Sequence, residues 1–153
     1  MHPDVEGMIA AVEKDAVGFE QYFSQIATPE GLWQLIIGMS GECDRLLYES
    51  DTFSKAYQRA LQEGFAQGAQ GYARDLVNSL RIWTVKPEEI NVPVDLWYGG
   101  LDTSTVHSPD FGATLASRLP NASHTIDPEA GGSILWTRAW DILAKLKSHV
   151  SGI

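Results

Sequence analysis

The chain has 153 residues, 44% apolar and 20% charged, which suits an ordinary globular domain and excludes a disordered or low-complexity chain. Its 20 acidic and 11 basic side chains leave a net charge of -9, excluding the basic face that a nucleic-acid or anionic-membrane partner requires. One cysteine, Cys43, allows no internal disulfide; with no membrane-length apolar run and no signal-peptide core, the expected address is the cytoplasm.

From Pro3 to Ala27, Val5, Met8, Ile9, Val12, Ala16, Phe19, Phe23 and Ile26 recur at steps of three and four, predicting one amphipathic helix. Thr28-Pro29-Glu30 stops it and starts another: a capping hydroxyl, proline at the first helical position, then an acid facing the helix dipole. That second helix, carrying Leu32, Trp33, Leu35, Ile36 and Ile37, ends between Gly38 and Gly41. Gly38-Met39-Ser40-Gly41-Glu42 is not a nucleophile elbow, because its second glycine comes one residue early and no β-rich strand precedes it. A short helix spans Glu42 to Tyr48, and Ser50 or Asp51 caps a further one. Glycines 64, 68 and 71 punctuate the continuation, yet Phe65, Ala69, Tyr72, Ala73, Leu76, Val77 and Leu80 keep helical spacing.

A connector with at most one helical turn, at Pro87-Glu88-Glu89, leads to Val92, Val94, Leu96, Trp97 and Tyr98, an apolar run that reads as a strand buried on both faces. It breaks at Gly99-Gly100 and delivers Asp102 just past its end, where open α/β sheets place ligands and catalytic groups. Ser108-Pro109-Asp110 starts a helix that Pro120-Asn121 ends. His124-Thr125-Ile126 is a second strand, and Ile134, Leu135, Trp136, Trp140, Leu143, Leu146 and Val150 make a final helix. The predicted fold class is α/β: a helical region over 1–86, then a β-α-β-α unit with a small parallel sheet over 87–153, forming one unit.

From Ala60 to about Leu146 the chain resembles the C-terminal half of the α/β-hydrolase fold. The matching features are Asp75 after the glycine-punctuated helix, Ile90-x-Val92-Pro93-Val94, Leu96-Trp97-x-Gly99 and Asp102. Behind these come Leu115-Ala116-x-Arg118-Leu119-Pro120-Asn121-Ala122, the second strand and the Pro128 loop. The resemblance implies that the first sixty residues are a helical lid and that Asp102 is the triad acid, orienting an imidazole that activates a serine. No G-x-S-x-G occurs, however, and Gly132 stands where the family carries its catalytic histidine. His107 and His124 are the candidates to replace it, while His2 and His149 read as bystanders. Asp102 also suits a plain Asx-turn ahead of Thr103-Ser104. No histidine pair shows metal-ligand spacing, and no cofactor is expected.

Three functions compete. A truncated hydrolase-like pseudoenzyme would act through self-association as a homodimer, or with a separate N-terminal hydrolase half. Its contacts would be the Val92–Tyr98 strand edge and the Leu32–Ile37 apolar face. A serine esterase or carbon–carbon-bond hydrolase would be completed in trans by a chain carrying the nucleophile. A small-molecule binding module would use the lid pocket with Trp33, Trp83, Trp97 and Trp136 as its lining.

Overall fold

Asp15 divides the long N-terminal helical pattern. In the computed structural model, which describes residues 3–150, α1 runs Pro3–Ile26, but Asp15 has non-helical φ/ψ of -156° and 84°. Its carboxylate accepts the Gly18 N–H at 2.9 Å, so it caps the second half, and the single predicted helix is two pieces joined at a kink. The apolar period runs unbroken through the kink, which is why the pattern alone does not show it.

The start of α2 (Pro29–Met39) matches its sequence signature, with the Gly31 N–H donating to Thr28 Oγ1 at 3.0 Å. Helix α3 spans Glu42–Tyr48 and α4 Asp51–Gly64. Ser50 holds the cap position of α4, but its hydroxyl donates backwards to Leu47 O. Helical structure then stops, and α5 starts at Gln70 and runs to Leu80, with Gly68 at φ +92° in the gap. The glycines therefore end a helix that the apolar spacing predicted to continue.

The chain divides into two compact units. One comprises the residues up to Met39 together with Leu46–Trp83; the other comprises Ser40–Arg45 and everything from Thr84 onward. In the helical unit α1 packs along α5 and α2 against α4, burying Val12, Tyr48, Ala69, Ala73 and Val77. Tyr57 stacks on Tyr48 and Phe53 and meets Trp33 at 6.0 Å between ring centroids.

In the second unit a 3₁₀ turn at Pro87–Glu89 precedes β1 (Val94–Gly99), α6 (Ala113–Arg118), β2 (Ala122–Asp127), α7 (Ile134–Thr137) and α8 (Ala139–Val150). It is a β-α-β-α arrangement with a two-stranded parallel sheet, pairing Val94 with Ala122 through Gly99 with Asp127. Three details differ from the sequence expectation. The Ser108-Pro109-Asp110 turn does not itself open α6; instead Asp110 caps it from outside, accepting the Thr114 N–H at 2.9 Å. The final helix is interrupted at Arg138. And β1 is half-buried rather than buried on both faces, because two strands are too few to enclose one another.

Strand direction and pleat fix which groups point where. The Val94 N–H donates to Asn121 O at 3.1 Å and the Gly100 N–H to Asp127 O at 2.7 Å. By alternation the N–H groups of Asp95, Trp97 and Gly99 turn away from β2, toward the open edge. Pro93 falls in that outward phase, where a missing N–H costs no ladder bond. Val94, Leu96 and Tyr98 share a face with His124 and Ile126. Asp95 and Trp97 share the other with Thr125 and Asp127, and that second face carries the C-terminal helices.

Candidate functional site

The β1 end delivers Asp102 into a turn that is half capping motif and half acid–imidazole pair. The Asp102 N–H donates to Gly99 O at 3.2 Å, which closes the chain over the strand terminus. Oδ1 accepts the Ser104 N–H at 2.9 Å, giving the Asx-turn that Thr103-Ser104 suggested. Oδ2 lies 2.6 Å from His107 Nδ1, with Asp102 only 12% exposed and the imidazole 50% exposed. The sequence left these two roles as alternatives; the geometry combines them.

Gly132 meets the same carboxylate from the loop after β2. A Cβ built there would come within 2.9 Å of Asp102 Oδ1, so the Asp102 carboxylate lies close against the Gly132 backbone and leaves little room for a side chain at 132. That loop is held by Asp44, which is 2% exposed and accepts the N–H groups of Gly132 at 3.0 Å and Ser133 at 2.9 Å. Gly131 is obligatory beside it, since a Cβ there would run into the Asp44 carboxylate. Sequence reasoning missed Asp44. Its only local signal was an acid in the first turn of α3, and the partners lie 88 and 89 residues away.

His124 is not brought to Asp102. It sits on β2 opposite Leu96, with Nε2 2.6 Å from Phe111 O and its ring edge-on to Tyr98. His149, read as a bystander, instead ties α8 to the sheet, with Nε2 2.7 Å from Asp95 Oδ2. Asp95 Oδ1 is buried with no hydrogen-bond partner. Arg138 makes a parallel tie to Asp127. Asp127 is held below the usual carboxylate range, first by the Glu129 N–H and then by the Arg138 guanidinium. The Thr114 and Ser108 hydroxyls do the same for Asp110. His2 lies outside the described residues.

Two of the four tryptophans proposed as a ligand lining belong to the helical unit and two to the strand unit. Trp33 packs on Tyr57, and the exposed Trp83 donates its indole N–H to Asn78 O. Trp97 is on β1 and Trp136 in α7. In the helical unit Trp33 lines a small hollow with Pro29 and Leu61, and a second hollow of about 160 Å³ is lined by Phe23, Ile26, Leu32, Leu35 and Tyr72, among others. Among the described residues no cluster of His, Cys, Asp or Glu could hold a metal ion, and no helix is long and apolar enough to cross a membrane.

An Asp–His couple can orient an imidazole and move a proton, but acyl transfer also needs a nucleophile within reach of the second ring nitrogen. Comparison with protein-family models, curated proteins and solved structures found no match to the chain.

Proposed function

We propose that this chain is a hydrolase-like protein without catalysis of its own, acting through association with a second chain at the open edge of β1. The observation that carries this reading is the sheet. A parallel pair with only half-buried strands leaves the outward groups of Asp95 and Trp97 without a neighbouring strand among the described residues, and such an edge is a template for pairing. The Asp102 environment supports the absence of independent turnover. Both carboxylate oxygens are engaged within the loop, and by the resemblance Gly132, which has no side chain to act as a base, falls at the position of the family's histidine. The half-exposed Leu35 on α2 gives the Leu32–Ile37 segment a secondary place in the same role.

Light scattering tests the association: the expected outcome is a mass above that of one chain, falling on dilution. A monomer indifferent to concentration counts against it. Hydrolysis of a p-nitrophenyl ester by the purified chain, abolished by Asp102→Asn, would overturn the non-catalytic assignment.

One observation favours a second reading, an esterase or carbon–carbon-bond hydrolase completed in trans. The 2.6 Å Asp102–His107 contact supplies an oriented imidazole from a different loop than the family uses. That reading expects His107→Gln to abolish activity once a nucleophile-bearing chain is added, with binding of that chain unchanged.

A further inference from the structure

We infer that the partner at the β1 edge is a second copy of this chain, joined antiparallel about a twofold axis at Leu96, with the two α8 helices alongside each other. This pairing rests on the associative role proposed above and names its partner and register.

The outward groups belong to Asp95 and Trp97, two residues apart, and to Gly99, whose C=O already accepts the Asp102 N–H, while Pro93 removes the donor at the next outward position on the other side. In an antiparallel copy centred on Leu96, Asp95 lies opposite Trp97 of the second chain and Trp97 opposite its Asp95. All four outward groups of each pair are then bonded. The closely spaced central pair becomes Leu96 against Leu96, an apolar contact, and no acid lies directly opposite an acid. The edge is thus complementary to itself, as a twofold interface demands.

Helix α8 gives an independent observation. Ala139, Ile142, Lys145 and His149, at steps of three and four, form its half-buried side, and the His149–Asp95 tie seats its last turn over β1. Its large apolar residues face elsewhere: Trp140 is 85%, Leu143 54% and Leu146 58% exposed. A helix that seats Lys145 and His149 beside Ala139 and Ile142 on its half-buried side, and turns its tryptophan and two leucines outward, departs from the usual arrangement of a surface helix. These three side chains expose roughly 400 Å², about half of the 800 Å² or so that each partner contributes to a standard interface. The strand edge and its flanks supply the remainder. Because Asp95 is on β1 and α8 is tied to it, a twofold there sets the two α8 helices on the same face of the joined sheet, each with an exposed apolar side available to the other.

Sedimentation equilibrium on the full chain is expected to give about twice the mass of one chain. The dimer should tighten from 0.02 to 0.5 M NaCl, because each copy carries a net charge of -9 and salt screens their repulsion. Trp140→Glu with Leu143→Glu is expected to weaken it at least tenfold with far-UV circular dichroism unchanged. Cysteine cross-linking in a Cys43→Ser background reads the register without any need to break the fold. Oxidised Leu96→Cys should run as a dimer on a non-reducing gel, whereas Val94→Cys, four residues out of register with itself, should not. A single-chain mass at every concentration overturns self-pairing, and cross-linking through position 94 but not 96 overturns the register. A monomer that binds a separately encoded chain stoichiometrically overturns self-pairing and leaves the associative role standing. A monomer with Asp102-dependent ester hydrolysis overturns both.

Discussion

In the helical unit, Gly7, Gly38, Gly64 and Gly71 have nothing within 4 Å of where a Cβ would stand. In the strand unit, a Cβ at Gly99 would strike the Gly131 carbonyl, at Gly112 the Tyr98 ring, and at Gly131 the Asp44 carboxylate. Where the helical unit does crowd a glycine, at Gly18 and Gly68, the neighbour is a side chain two or three residues away, and Gly68 also needs its positive φ; in the strand unit the crowding comes from residues far along the chain. The helical unit is held by apolar stripes and stacked rings, which leave slack at the surface. The strand unit is held by backbone approaching backbone and by a buried carboxylate, while some of its largest apolar side chains point outward. A closed core tolerates substitution at its edges; a unit clipped together at a few polar points does not.

Substitutions can break that contrast in graded steps. Asp44→Ala orphans two amide N–H groups around a buried site and should cost about 3 kcal/mol, read as a lower urea midpoint for the strand unit. Gly131→Ala forces the loop off Asp44 and should cost about 2 kcal/mol by the same measurement. Gly7→Ala should go the other way, stabilising the helical unit by about 0.5–1 kcal/mol in thermal unfolding, since α1 gains propensity and meets no neighbour.

Acid titration sharpens the comparison within the strand unit. The Asp127 carboxyl is depressed in the folded state, so its stabilisation is present above the unfolded value of about 4 and lost as pH falls through the lower folded value. Asp127→Asn should therefore be less stable than the parent chain at pH 6 and converge with it in strong acid. The smallest effect is expected at Arg74, whose exposed bidentate pair with Glu20 links α5 to α1 at 2.6 and 2.7 Å. Arg74→Ala should shift the melting temperature slightly at low salt and not at all in 0.5 M NaCl.

Local chemistry made much of this fold legible. Thr28-Pro29-Glu30 announced α2 because capping acts within three residues, and β1 was readable from an apolar run bounded by Pro and Gly, while only the His124-Thr125-Ile126 centre of the mostly polar β2 was read. Asp102 and His107 were in reach of each other by spacing alone. The features that escaped depend on partners far along the chain or on one residue overriding a period. Asp15 breaks α1 inside an uninterrupted apolar stripe, and the gap at Phe65–Ala69 is set by Gly68 adopting positive φ against the helical spacing around it. Asp44 and His149 reach partners 88 and 54 residues away, and nothing in their own neighbourhoods announces it.

The position of Asp44 also makes the strand unit discontinuous along the chain. Its clip comes from Ser40–Arg45, on the far side of the helical run from the loop it holds. The connector between α5 and the 3₁₀ turn displays Ile82, Trp83 and Val85 at the surface, an inviting place for a protease to cut. Cleavage there would divide the covalent chain without dividing the fold. The two fragments would stay associated through α3 until denatured, and the C-terminal fragment refolded alone would lack the Asp44 carboxylate that holds Gly132 and Ser133 in the loop against Asp102.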